Sequence, residues 1–279
     1  MARASRRWVL ALAIAMAVAP ATGSLTAAQG QGDGTEPPGV VDGELDSPSS
    51  LLRAHTSALL ADGFSANGAV DVTIRRQGVP VDVERTADRT VSVDAASYRQ
   101  SQRTVAQAPV GSTTREEEFW GNDSVEGRRT VENDRTSYDV RKGKTDGRLS
   151  AAALMRPYLR SATYVVSDAG YAGVGRYSGG PVGGERRYTL TATGPGDTTR
   201  LVNALPDGAS DPRNFEATVV VDEDGRVHEF DASVDYTISG VDRTHTLSFD
   251  LRELDVSSVG RPSWVDEALS GAETTGAGR

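Results

Sequence analysis

Residues 227–254 read VHEFDASVDYTISGVDRTHTLSFDLREL, and apolar and polar side chains alternate along them with a period of two. His228, Phe230, Ala232, Val234, Tyr236 and Ile238 share one parity, while Glu229, Asp231, Ser233, Asp235, Thr237 and Ser239 share the other. Beyond Gly240, His245, Leu247, Phe249 and Leu251 alternate with Thr246, Ser248, Asp250 and Arg252. Successive side chains of a strand point to opposite faces, so each run predicts a strand with one buried and one wet face. Upstream, Phe215, Ala217 and Val219 lead into Asp222-Glu223-Asp224-Gly225, whose Asp-Gly step is tight-turn chemistry. A hairpin closed there sets Val219 opposite His228, Ala217 opposite Phe230 and Phe215 opposite Ala232. Closing the next hairpin at residues 240–243 sets Tyr236 opposite Leu247 and Val234 opposite Phe249. Both registers pair apolar with apolar, and a slip of one residue would turn a whole face over.

The same period runs back through the chain. Val70, Val72 and Ile74, then Val79, Val81 and Val83, flank Gln77-Gly78 as a hairpin. Short strands are expected near Thr90 to Asp94, Tyr98 to Val105, Arg115 to Trp120, Ser124 to Val131, Thr136 to Arg141 and Arg187 to Ala192. Helical periodicity appears in few places. Ser47 caps and Pro48 opens a first helix whose stripe is Leu51, Leu52, His55, Ala58 and Leu59, ended by Gly63. A second helix is expected from Leu149 to Ser161, bent or shortened by Pro157, and a short one from Asp197 to Leu205. Residues 255–270 carry Pro262, Trp264, Val265 and Leu269, a terminal helix laying its apolar side on the sheet. Sequential antiparallel strands with few helices define an α+β layer arrangement, helices on the apolar face. Residues 170–184 hold seven glycines and read as a long loop.

The amino terminus reads as an export signal over residues 1–28. Arg3, Arg6 and Arg7 precede a short apolar run, and Thr26-Ala27-Ala28 is the expected cleavage tripeptide. Ser5-Arg6-Arg7-Trp8-Val9-Leu10 resembles the twin-arginine motif. The run falls short of the roughly 20 residues a spanning helix needs, and no transmembrane segment is expected in the mature chain. Residues 29–46 are rich in Gly, Pro, Asp and Glu and read as a disordered tether, residues 47–270 as one domain, and residues 271–279 as a disordered tail. Removing the leader takes the net charge from −9 to −12, because residues 1–28 hold three arginines and no acid. Such an acidic, lysine-poor chain, with only Lys142 and Lys144, suits concentrated salt and lacks the basic footprint that nucleic acid requires. The absence of cysteine removes disulfides, thiolate metal sites and thiol nucleophiles together.

Chemistry is sparse. His55, His228 and His245 are the only histidines; in the registers above His245 faces Ile238, about 30 Å along the strand from His228, too far to share a metal. No G-x-S-x-G elbow, S-x-x-K pair or phosphate loop occurs. Glu116-Glu117-Glu118 reads as a solvated strand edge, and Asn122-Asp123-Ser124 is a glycosylation sequon on a turn. These features predict no enzyme, no metal and no cofactor.

The order of elements carries a resemblance. The helix from Leu51 to Leu60, the segment from Phe119-Trp120-Gly121 to Tyr138-Asp139-Val140, the Pro157-Tyr158-Leu159 helix, the Val219 to Val227 hairpin and the closing Pro262-Ser263-Trp264 follow one another as in an uncharacterised family of haloarchaeal exported proteins and lipoproteins. Over residues 47–270 the chain is also similar to the bacterial lipoprotein-carrier and mycobacterial lipid-transfer lipoprotein fold. That likeness implies a curved antiparallel half-barrel whose helices cover an apolar concave face. It implies a hydrophobic small molecule or lipid lodged there, lined by Leu52, Leu59, Tyr158, Phe215, Phe230, Val234, Tyr236, Leu247 and Phe249. A cell-envelope interaction module with a filled core is the competing expectation.

Overall fold

The computed structural model describes residues 36–142, 152–172, 185–194 and 196–276. The expected export signal, the first part of the tether and most of the glycine-rich loop lie outside the described residues.

Among the described residues thirteen strands form one open, curled antiparallel sheet. In chain order they are β1 (Val40–Val41), β2 (Glu44–Leu45), β3 (Phe64–Arg76), β4 (Val79–Val91), β5 (Ser97–Ala108), β6 (Gly111–Asn122), β7 (Val125–Glu132), β8 (Arg135–Lys142), β9 (Val165–Ala172), β10 (Glu185–Thr193), β11 (Ala209–Asp222), β12 (Val227–Ile238) and β13 (Val241–Leu254). Their spatial order is β1-β2-β9-β10-β11-β12-β13-β3-β4-β5-β6-β7-β8. The late meander and the early hairpins are therefore stitched together by β13 pairing with β3, Leu247 facing Val70 and Phe249 facing Gly68. Four α-helices accompany them among the described residues: α1 (Pro48–Asp62), α2 (Ala152–Leu159), α3 (Thr198–Ala204) and α4 (Ser263–Gly276).

The meander has the expected faces but different partners. Val219 faces Phe230, not His228, because a bulge beside Val221 leaves His228 as the extra residue between Val227 and Glu229. At the next hairpin Ser239 and Gly240 take φ of 55° and 76°, a two-residue turn that puts Ile238 opposite Val241 and Phe230 opposite Phe249. Positive φ at both central residues suits the twist of the flanking strands. Away from the bulges both departures from the expected registers are even numbers of residues, so Ala217, Val219, Phe230, Ala232, Leu247 and Phe249 keep their faces.

Two expectations fail at the margins. Residues 36–46 are not a free tether. Gly39 and Gly43 turn the chain at φ of 89° and 77°, and Val40 and Leu45 are buried. Leu45 N donates to Tyr164 O at 3.0 Å, and Glu44 pairs with Val165 of β9. Glycine and proline here make turns that dock a β-corner, so composition misread a folded edge as a linker. At the other end α4 continues to Gly276, past the expected boundary at 270.

α1 is capped by Ser47, whose Oγ accepts from Ser50 N at 3.4 Å, and buries Leu51, Leu52, His55 and Leu59. α2 ends soon after Pro157, where Ser161 Oγ donates to Pro157 O at 2.6 Å. α3 is capped by Asp197, whose Oδ1 accepts from Arg200 N at 3.1 Å. These three helices lie side by side and bury their apolar sides against β9–β13 and β3 in one cluster. We call that face of the sheet inner. α4 departs from the expected covering of the concave face: Trp264 and Val265 pack on Trp120, whose neighbour Phe119 belongs to the inner cluster, so α4 lies on the outer face. Tyr138 stacks on Trp264 with ring centroids 6.2 Å apart.

Candidate functional site

The inner face has two halves of opposite character. From β9 to β3 it is apolar and roofed by α1–α3. All nine residues expected to line a ligand lie in this half, and none is more than 7% exposed. They pack against one another and against the helices, so the volume they surround is occupied by their own side chains.

Two histidines are built into this greasy half. His55 Nδ1 accepts from Val227 N at 3.0 Å, and the ring meets Phe249 edge-on at 5.7 Å. Tyr158 Oη lies 2.6 Å from His245 Nε2. Burial lowers the His55 pKa to about 4 against the pull of Asp222, and lowers His245 to about 4 against the Asp71 main chain and carboxylate. Both rings are thus neutral at pH 7, and the Tyr158 hydroxyl, its own pKa raised by burial, donates to His245. His228 Nε2 meets the Asp222 carboxylate at 3.0 Å at the mouth of the bulge. Asp222 also accepts from Arg226 N at 2.8 Å, and Arg226 reaches Asp62 at 2.7 Å and Asp224 at 2.6 Å. This network ties the β11–β12 hairpin to the end of α1. His245 faces Val234, six residues along β12 from His228 rather than ten. That is still about 20 Å, and among the described residues no three His, Asp or Glu side chains gather as a metal site.

From β4 to β8 the same face turns polar. One cross-strand row shows the change: Leu247, Val70, Arg85, Thr104, Arg115 and Glu132 are successive partners from β13 to β7. The next inner positions bring Arg89, Gln100, Glu117 and Arg128. Glu117 pairs with Arg115 at 2.8 Å and Arg128 at 3.9 Å, and its side chain is only 14% exposed. Glu126, 4% exposed, holds Arg141 at 2.7 Å. The expected solvated edge at Glu116 to Glu118 is therefore corrected. β6 lies between β5 and β7, and only Glu116 stands in solvent, whereas Glu118 meets Arg99 and Arg129 on the outer face. Arg85 is mostly buried, and that burial lowers its pKa while nearby Glu117 raises it. Among the described residues its guanidinium makes one hydrogen bond, from Nε to Thr104 Oγ1 at 3.4 Å. These arginines were missed because charged residues on a strand are assigned to the wet face by default. The available signal was parity: Arg85 and Arg89 share the parity of Val81, Val83 and Val91.

The outer face carries a shallow groove of about 420 Å³ across β12, β13, β3 and β4, with Asp88, Asp231, Asp250 and Arg252 at its walls. Burial, and then Asp250, raise the Asp231 pKa. Asn122, the expected glycosylation position, ends β6, and its Oδ1 accepts from Ser124 N and Val125 N across the β6–β7 turn at 2.9 Å. No helix among the described residues is long and apolar enough to cross a membrane.

Fold and inner face together define an α+β half-barrel protein, an open curled sheet with helices on its apolar inner half. The chain belongs to DUF7537, a family of unknown function whose model matches residues 7–268. No curated protein matches it. Among solved structures it is distantly similar to a β-barrel-like DUF1849 protein from Brucella abortus, at 9% identity over 70% of this chain and 99% of that one, TM-score 0.25. A DUF1329 family protein from Desulfovibrio piger matches at 11% identity over 78% and 95%, TM-score 0.26. A LolA superfamily protein from Nitrosomonas europaea matches at 8% identity over 77% and 95%, TM-score 0.22.

Proposed function

We propose that this chain is an exported, non-enzymatic protein that binds an amphiphilic, lipid-like molecule on the inner face of its sheet. One observation carries the reading. A single continuous surface passes from wholly apolar at Phe230, Leu247 and Val70 to guanidinium-rich at Arg85, Arg89 and Arg115 within a few strands. Such a gradient matches a molecule with a greasy tail and a polar head. The roof α1–α3 fills the apolar half in the state described, so a tail enters when these helices shift. The acidic charge and the leader support work outside the cytoplasm, in a salt-rich setting.

A second reading, an envelope interaction module with a permanently filled core, is favoured by the near-complete burial of the nine apolar positions. Mass spectrometry of organic extracts from chain purified out of its own host separates the two. A lipid recovered in about equimolar amount supports the amphiphile reading. An extract free of lipid, with no displacement of a fluorescent fatty acid by the purified chain, ends it.

A further inference from the structure

We propose that Arg85 and Arg115, on either side of Thr104, clamp the anionic head of the bound amphiphile, a phosphate or carboxylate carried on an apolar chain; this rests on the amphiphile reading above.

Arg85, Thr104 and Arg115 are consecutive partners in one cross-strand row. The spacing between strands is about 4.8 Å, so the two arginines are rooted about 10 Å apart with the threonine hydroxyl between them. Neither guanidinium is fully used. Among the described residues no carboxylate lies within ion-pair distance of Arg85, whose single hydrogen bond to Thr104 is long. Arg115 gives one Nη to Glu117, while its buried Nε has no partner among the described residues. A guanidinium withdrawn from water without a carboxylate is costly, and a chain this rich in acids could supply one readily. Glu117 acts on Arg85 only from a distance, its contacts going to Arg115 at 2.8 Å and Arg128 at 3.9 Å. A planar fork of donors with vacancies suits the oxygens of phosphate or carboxylate.

The neighbourhood points to a headgroup rather than a free anion. Along the same row Val70 is the partner of Arg85 and Leu247 the partner of Val70, so the apolar basin begins one strand away, about 5 Å. A substituent on an anion held at Arg85 reaches greasy surface at once.

The test is calorimetric titration of the mature chain with three probes: decyl phosphate below its micellar concentration, 1-decanol and inorganic phosphate. Decyl phosphate is expected to bind about tenfold or more tightly than decanol, the scale of a charge-assisted hydrogen-bond pair. Arg85→Gln is expected to remove that preference while leaving decanol binding and the unfolding midpoint unchanged or raised. A purely structural arginine would instead lower the midpoint. Arg115→Gln gives the same loss of preference by an independent change. Equal binding of the two decyl probes, or a preference that survives both substitutions, overturns the clamp and leaves the amphiphile reading standing. Inorganic phosphate binding as tightly as decyl phosphate overturns the headgroup assignment and the amphiphile reading, leaving a plain anion site. No binding of any probe overturns both.

Discussion

Tyr158 Oη and His245 Nε2, 2.6 Å apart inside the core, join α2 to the middle of β13. The pair is the polar pin of an otherwise apolar contact between roof and sheet, for the Tyr158 ring also lies 6.3 Å from that of Phe230. Removing the hydroxyl strands a buried acceptor, which costs about 1–3 kcal/mol. Tyr158→Phe is therefore expected to lower stability by about 2 kcal/mol in urea unfolding. Adding His245→Leu to it should cost less than the two single losses combined, because the second change removes the stranded group. Strict additivity of the two would mean that the hydrogen bond contributes nothing.

His55 and His245 make the fold acid-sensitive in a defined window. Both have pKa values of about 4, held down mainly by burial, against 6.5 for the free side chain. The unfolded chain therefore binds protons that the folded chain refuses between those values. Stability is fully present above pH 6.5, falls as the pH drops toward 4, and the loss reaches about 3 kcal/mol for each ring once both states are protonated. Urea midpoints measured from pH 7.5 to 4.5 should decline through this range. The NMR shifts of the two rings should stay those of neutral imidazole until near pH 4. A midpoint flat from pH 7 to 4.5 would contradict the burial assigned to both.

Arg226 holds three carboxylates at one corner, with Asp222 wholly buried and Asp62 at the last turn of α1. Its side chain is 17% exposed, so the attraction is weakly screened. Arg226→Met leaves Asp222 with its His228 and main-chain contacts but without the guanidinium, and is expected to cost about 3 kcal/mol. Arg226→Lys should recover part of that, since a point charge cannot serve Asp62 and Asp224 with separate nitrogens. A Lys variant as stable as the native chain would show that charge alone, without the fork, secures the corner.

The sheet was legible because burial imposes parity, and parity survives errors in loop length. Phe230, Val234, Leu247 and Phe249 fell on the buried face even though both hairpins close differently from the simplest turn reading. Register needs the turn itself: Ser239-Gly240 as the corner, and a bulge at His228 that no local pattern announces. β9 went unread because Val165 and Val166 are followed by Ser167, Asp168 and the glycine-rich segment, with too little alternation to mark a strand. The polar half of the inner face was missed for a different reason. Parity placed Arg85 and Arg89 with Val81, Val83 and Val91, but a charged residue alone does not tell whether it faces solvent or faces Thr104 and Glu117 across a curled sheet. Strands β4–β8 show their inner side only when β3 is known to pair with β13, a contact between segments about 180 residues apart.

Gly63 is where that long-range join is most exposed to a single methyl group. It ends α1 with its N–H on Leu59 O at 3.0 Å, and β3 starts at the next residue. Its φ of 72° and ψ of 151° belong to a region that only glycine enters readily. A Cβ there would lie 2.5 Å from both Val256 O and Val93 N. Those two atoms are hydrogen-bonded to each other at 2.8 Å, clasping the turn after β4 to the segment after β13. Neither is a side chain that can swing aside, so alanine must displace backbone from three elements at once. Gly63→Ala is expected to lose more than about 3 kcal/mol in urea unfolding. Gly240→Ala is the matched control, with φ of 76° and nothing within 4 Å of an added Cβ, and should lose only about 1–2 kcal/mol. Equal losses at the two glycines would mean that the junction of α1, β3 and the two flanking segments yields freely, and that the close approach at Gly63 does not hold the sheet together.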